Sequence, residues 1–324
     1  MILRFTVLIF ILAFQHLSFG QDIEEQKRLF IENITMNTDY EREFIEQLLS
    51  EIEIQQSILD AISRPAERVL TWDDYRGIFI TEQRISAGIN FYNEHRSEIT
   101  NAVNQYGVPA EIILAILGVE TNFGTRMGSY RVIDALGTLA FAYPPRSAFF
   151  SSELERFIEL IQTESNTFRE ARGSYAGAMG AGQFISSSYL SYAVDGDGDG
   201  VRDLWESWPD IFASISNYFR RNGWEPGALI ATRLINENNI ELAEHTNTVN
   251  LNNTVAGVKE LGLSFPVSYP DDLPLTLLKL EGPSGTEYWA GFHNFRSITR
   301  YNISVLYGMA IYELSEIYKS KIYN

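Results

Sequence analysis

Apolar residues recur along most of the chain at helical spacing. Phe44, Leu48, Leu49, Ile52, Ile58, Leu59 and Ile62 predict a pair of helices within 21–63, and Arg64-Pro65 interrupts them, because the residue before a proline is pushed out of the helical region. Ile85, Ile89, Phe91, Tyr92, Ile99 and Val103 resume the pattern across 81–105. The next stretch is different. Between Ala110 and Val119 the only charge is Glu111, and Ile112, Ile113, Ala115, Ile116, Leu117 and Val119 cover more faces than a surface helix needs. That predicts a helix buried all round and ending at Glu120. Gly107 suits the stop of the preceding helix, and Pro109 suits the first turn of this one.

Further helices are predicted over 132–141, 149–162, 211–219 and 304–318, with Pro144-Pro145 dividing the first two. Residues 226–300 read otherwise, as short runs punctuated by Pro226, Pro266, Pro270, Pro274 and Pro283. There 255–261 predicts a helix, while 275–280 and 287–292 flank Gly282-Pro283-Ser284-Gly285 as two strands around a turn. The pattern as a whole is mainly α, with a small α+β insertion.

Composition narrows the function classes. Of 324 residues, 45% are hydrophobic, enough for a substantial core, and 42 acidic against 25 basic residues give a formal charge of −17. No Lys/Arg cluster is dense enough to track a phosphate backbone, so nucleic acid is not an expected partner. Cysteine is absent, which excludes disulfides, thiolate zinc sites, a cysteine nucleophile and a lipidated N-terminal cysteine. Arg4, the apolar run 5–14 and Ser18-Phe19-Gly20 predict an export signal over 1–20, cleaved after Gly20 or kept as an uncleaved anchor.

Three stretches carry candidate chemistry. Glu120 ends an apolar helix, and a carboxyl against apolar walls has its charged form penalised, which would keep it protonated as a general acid. The other reading of this stretch is a helix-end Glu half in solvent or paired with an arginine. In GSYAGAMGAGQ (173–183) the glycines permit close approach to a ligand or a tight loop, with Ser174 and Gln183 offering hydrogen bonds. A phosphate loop is disfavoured there by the lack of a Lys-Ser/Thr pair. In DGDGDGVRDLWE (195–206), Asp195, Asp197 and Asp199 alternate before Gly200, with Val201 placed to give a backbone carbonyl and Glu206 in the last ligand position. This is the calcium loop of an EF-hand, unpaired and thus structural rather than sensory; a solvated acidic turn is the alternative.

Taken together, GVETNFG (118–124), the 174–183 stretch, the 195–205 loop and ITRYN (298–302) resemble the membrane-bound lytic murein transglycosylase B family, in order, from about residue 64 to 318. The resemblance implies a lysozyme-like α core with an EF-hand-like loop, an α lobe and a small β-containing lobe. It divides the chain into a signal (1–20), an N-terminal helical lobe (21–105), a catalytic core (106–225), an α+β insertion (226–297) and a C-terminal helix returning to the core (298–324).

The resemblance further implies cleavage between N-acetylmuramic acid and N-acetylglucosamine in peptidoglycan, without water, with Glu120 as the single acid/base. It places Ser174, Gln183, Tyr218, Tyr301, Asn302 and Tyr307 along the glycan groove. Arg146 falls where a peptide-stem carboxylate is bound, with Pro145 replacing the first of an expected arginine pair. For the metal it favours Asp210 over Glu206 as last ligand, beside Asp195, Asp197, Asp199 and Val201. Calcium, or sodium as the other hard cation, is expected there, and no organic cofactor. The expected protein is a soluble periplasmic monomer acting on glycan strands, with other cell-wall enzymes as a second class of partner. A muramidase and a non-catalytic peptidoglycan-binding protein are the competing functions.

Overall fold

A computed structural model of the chain describes residues 22–64, 70–164, 166–242 and 247–324. The expected export signal and the break at Pro65 lie outside the described residues. In chain order the elements begin with a helix over 22–37 (α1), α2 (Arg42–Ser50) and α3 (Gln56–Ile62). Then come α4 (Trp72–Phe79), α5 (Glu82–Glu94), α6 (Arg96–Tyr106), α7 (Ala110–Glu120), β1 (Tyr130–Arg131), α8 (Val132–Ala142) and α9 (Ser147–Thr163). They continue with β2 (Arg172–Gly173), α10 (Ser186–Tyr192), α11 (Trp208–Arg221), β3 (Ala231–Arg233), β4 (Asn253–Thr254) and α12 (Val255–Glu260). A hairpin of β5 (Pro274–Gly282) and β6 (Gly285–Gly291) leads to α13 (His293–Tyr301) and α14 (Val305–Tyr323). Three helices therefore stand where a pair was expected over 21–63. Among the described residues no single helix is long and apolar enough to cross a membrane.

The chain forms two compact units. The first gathers the described residues up to 64 with 128–179 and 184–190; the second gathers those of 65–127 with 180–183 and 191–324. The stretch 106–225, expected as one core, contributes to both.

In the first unit, α8 is buried from Val132 to Phe141 and its polar groups do the anchoring. Asp134 Oδ1 accepts the Glu53 N–H at 3.0 Å, and Thr138 Oγ1 accepts the Gln55 N–H at 3.0 Å, so the start of α3 is pinned by two buried side chains. Burial pushes the Asp134 carboxyl up, and the Glu53 N–H pulls it back. On α9, buried Glu153 accepts from the Ser187 N–H (3.0 Å) and hydroxyl (2.7 Å), satisfying donors at the start of α10.

In the second unit, α7 is the central element and packs against α14, α5 and α6. Residues Ala110 to Gly118 are all buried, as the sequence predicts. Gly107 ends α6 in the left-handed region at φ +73°, and the Trp224 indole N–H donates to its carbonyl at 3.2 Å. Pro109 stands one residue earlier than expected: it is the extended N-cap, and the helix begins at Ala110. The sheet has the order β3-β6-β5-β4, and the β5–β6 hairpin closes at Gly282 opposite Gly285. Leu234, Val255, Val258, Leu275, Tyr288 and Phe292 form a small core on it. Buried Asn294 ties α13 to the loop before β3, its side chain bonding the Glu225 N–H and the Glu225 and Ala228 carbonyls.

Glu111, in the first turn of α7, is only 8% exposed, and burial pushes its carboxyl up despite opposing pulls from Lys319 and the Tyr323 hydroxyl. A carboxyl whose folded pKa lies above its unfolded one binds more protons when folded, so its contribution to stability falls as pH rises from the unfolded value through the folded one. Glu111→Gln removes that slope. The variant should melt slightly above the parent at pH 7 and level with it at pH 4, measured by thermal denaturation across that range; a lower melting point at pH 7 contradicts the assignment.

Candidate active site

Glu120 is the last residue of α7, and the backbone after it is unusual. Asn122, Phe123 and Gly124 follow one another in the left-handed region at φ +49°, +58° and +76°, a run that non-glycine residues enter at a cost. Local bonds hold it. The Phe123 N–H reaches back to the Leu117 carbonyl at 3.0 Å, the Arg126 N–H to the Thr121 carbonyl at 2.9 Å, and the Gly124 N–H to the Thr121 hydroxyl at 3.0 Å. The Phe123 ring is buried, its centroid 5.1 Å from that of Phe91.

Glu120 itself is half-buried, and Oε1 accepts a hydrogen bond from the Tyr307 hydroxyl at 2.7 Å. The apolar enclosure expected of the carboxyl thus belongs to the helix before it, and a phenol stands at its oxygen. Tyr307 is 2% exposed and lies in the first turn of α14, which Ser304 caps by accepting the Tyr307 N–H. Tyr301, at the end of α13, donates to the Gly182 carbonyl at 2.6 Å and packs its ring 4.8 Å from Tyr218. Burial, and then the charge of Glu120, push the phenols of Tyr301 and Tyr307 well above the ordinary tyrosine value. Both stay protonated at neutral pH and act there as donors, not bases.

The remaining expected site residues are held as follows. Tyr218 donates to the Arg300 carbonyl at 2.6 Å, and burial raises its phenol to about 12. Asn302, next to Tyr301, is half-buried in extended backbone. Gln183 sits at φ +54° with its amide donating to the carbonyls of Gly180 (2.9 Å) and Met127 (3.2 Å). Gly180 is at φ +68°, and a Cβ there would lie 2.3 Å from the Leu204 carbonyl oxygen, so only glycine fits this turn. Glu120, Gln183, Tyr218, Tyr301, Asn302 and Tyr307 all belong to the second unit. Ser174 and Arg146 belong to the first. There the Ser174 hydroxyl accepts from its own loop, at Ala176 and Ala178. The exposed Arg146 guanidinium lies over the rings of Phe149 (4.4 Å) and Phe150 (5.1 Å).

In the acidic loop, carboxylate oxygens of Asp195, Asp197 and Asp210 lie within 4.8 Å of one another. Three hard oxygen donors at that spacing suit a cation of the calcium class. Asp199 and Val201, expected as ligands, differ: the Asp199 carboxylate stands outside this group and accepts the Val201 N–H at 2.7 Å, a local turn bond. Glu206 is exposed and outside it too. Asp210, at the start of α11 and 1% exposed, accepts the Gly196 and Asp203 N–H groups at 2.7 Å each. Burial pushes its carboxyl up and those two bonds pull it down, whereas the N–H groups of Gly200 and Gly198 hold Asp195 below the usual carboxylate range.

A family model described as a transglycosylase SLT domain matches residues 23–316. The membrane-bound lytic murein transglycosylase B of Escherichia coli K12 is 35% identical over 296 residues, which cover 89% of this chain and 81% of that protein. The chain belongs to the lytic transglycosylase family. Among solved members, the soluble lytic transglycosylase SltB1 of Pseudomonas aeruginosa is 42% identical with a TM-score of 0.85, over 92% of this chain and 99% of that one. The Escherichia coli lytic transglycosylase Slt35, solved in complex with calcium, is 34% identical with a TM-score of 0.81, over 91% and 93%; it is also solved with bulgecin A. The mainly α, lysozyme-like architecture expected from the sequence is the architecture of these lytic transglycosylases.

One group at this site went unread in the sequence. The Thr121 hydroxyl, directly after Glu120, donates to the Ala181 carbonyl at 2.8 Å while accepting from Gly124. A hydroxyl residue between a helix-ending glutamate and an Asn-Phe-Gly turn is the signal that marks it.

Proposed function

We propose that this lytic transglycosylase cleaves the glycosidic bond between N-acetylmuramic acid and N-acetylglucosamine with Glu120 as acid and then base. The observation that supports this reading is the bond from the Tyr307 phenol to Glu120 Oε1 at 2.7 Å. The phenol anchors one carboxyl oxygen and leaves the other to exchange a proton. Glu120 first protonates the leaving glycosidic oxygen. It then takes the proton of the muramic C6 hydroxyl as that oxygen attacks the anomeric carbon, closing a 1,6-anhydro ring. The substrate's N-acetyl group stabilises the oxocarbenium-like state, so no second carboxylate is required. Gln183, Tyr218, Tyr301 and Asn302 serve the glycan strand from the second unit. Ser174 and Arg146 keep the roles given by the resemblance, hydrogen bonding to glycan and bidentate pairing with a peptide-stem carboxylate.

Asp195, Asp197 and Asp210 would hold calcium, or sodium, with Asp199 and the Val201 carbonyl as further oxygens of the same loop. The ion neutralises carboxylates that otherwise repel, and its role is structural. Chelation should lower the melting temperature and added calcium should restore it. At a hundredfold excess over the dissociation constant the bound ion contributes about 2.7 kcal/mol, roughly 5–10 °C for a chain of this size; unchanged melting curves contradict the structural ion. The chain is exported, works in the periplasm as a monomer and meets peptidoglycan there.

Incubation with purified peptidoglycan and mass analysis of the released fragments tests the reaction. Anhydro ends, one water lighter than reducing ends, are expected. Reducing ends would make the protein a muramidase, and no release at all would favour a peptidoglycan-binding protein.

A further inference from the structure

The Thr121 hydroxyl joins two strained segments of the second unit. It is 1% exposed and fully used: it accepts the Gly124 N–H at 3.0 Å and donates to the Ala181 carbonyl at 2.8 Å. The first bond closes the left-handed run Asn122–Gly124 that follows Glu120. The second reaches the loop 180–183, where Gly180 and Gln183 also have positive φ and where the Gly182 carbonyl receives the Tyr301 hydroxyl at 2.6 Å. Ala181 is held from its other side as well, its N–H donating to the Leu204 carbonyl at 2.8 Å. The Asp203 N–H, one residue back along the chain, donates to Asp210 at 2.7 Å. A continuous ladder therefore runs from the acidic loop through Ala181 to the residue after Glu120.

We infer that Thr121 is a positioning residue for Glu120, fixing the end of α7 against the 180–183 loop so that the carboxyl is registered with the site's tyrosines. This rests on Glu120 being the acid/base. The physical argument is one of tolerance. Three successive left-handed residues have neighbouring conformations of lower energy to relax into, and a displacement of about 1 Å at a reacting group can cost about 10²-fold in rate. A hydroxyl that bonds both segments removes that freedom, and a methyl in its place leaves a buried N–H and a buried carbonyl without their partner. Serine keeps both bonds; alanine leaves space in which water can bridge the two groups; valine does neither.

The test compares Thr121→Val, Thr121→Ala and Thr121→Ser with Glu120→Gln on solubilised glycan strands, reading kcat and KM separately, with melting temperatures measured beside them. Thr121→Val should lower kcat about 10- to 100-fold with KM within about 2-fold, Thr121→Ala should fall between, and Thr121→Ser should stay within about 3-fold of the parent. Should the valine variant fail to fold, the alanine and serine variants give the same ordering. Parental kcat in Thr121→Val or, failing that variant, in Thr121→Ala overturns the inference, as does a Thr121→Ser loss equal to that of alanine, or a loss carried by KM. Each of those results counts against Thr121 alone while Glu120→Gln is inactive. Near-parental turnover by Glu120→Gln would instead remove the reading of the site on which the inference depends.

Discussion

Glu120→Gln should lower kcat by about 10³-fold or more while leaving the melting temperature within a few degrees of the parent. The substitution keeps the shape of the side chain and an oxygen that can accept from the Tyr307 hydroxyl. It removes the ability to give a proton to a leaving oxygen and take one from an attacking hydroxyl. In a mechanism with one acid/base, both half-steps fail together. Tyr307 and Tyr301 cannot substitute as bases, because burial and the Glu120 charge hold their phenols well above the ordinary value. Stability should hardly change, since Glu120 is half-buried at a helix end rather than part of the all-apolar stretch before it. Turnover near the parental rate would mean that another group carries the proton.

Asp210→Ala should be the most destabilising single change in the acidic loop. Its carboxylate is 1% exposed and accepts two backbone N–H groups, from Gly196 and Asp203, at 2.7 Å each. Alanine leaves both donors without this partner, and a buried donor without a partner costs about 1–3 kcal/mol. The total is about 2–4 kcal/mol, or roughly 5–10 °C in melting temperature for a chain of this size. Asp210→Asn keeps one acceptor oxygen and should lose less. Glu206→Ala, at an exposed position outside the carboxylate group, should change the melting temperature little with or without calcium. Equal losses in Asp210→Ala and Glu206→Ala would return Glu206 to the ligand set and argue against the braced role of Asp210.

Local signals carried most of the fold. The unbroken apolar run of 110–119 can only be a helix buried all round, and Gly107 before it can only be a stop, because both follow from the chain's own stereochemistry and hydrophobicity. The hairpin at 282–285 was equally legible, with glycine at the position that turns at φ +108°. The split of 21–63 into three helices was not, since the apolar spacing continues with little change across the short break between α1 and α2. At the site, the residues were legible and their relations were not. The phenol on Glu120 comes from 187 positions away, and no local pattern reports a contact of that range. Asp199 shows the converse: alternation predicts it as a ligand, yet a bond to the N–H two residues on competes for its carboxylate. Thr121 was missed because one hydroxyl has no periodicity, and its meaning depends on a loop 60 residues distant.

The measurement closest to the central claim is digestion of purified peptidoglycan in water enriched in oxygen-18, with the parent protein and Glu120→Gln side by side, followed by mass analysis of the fragments. Intramolecular attack by the C6 hydroxyl takes no atom from solvent. The account predicts anhydro-ended fragments without the heavy isotope from the parent, and none from the variant. Fragments carrying one oxygen-18 at a reducing end would show that water is the nucleophile, and unlabelled anhydro fragments from Glu120→Gln would show that Glu120 is not the acid/base.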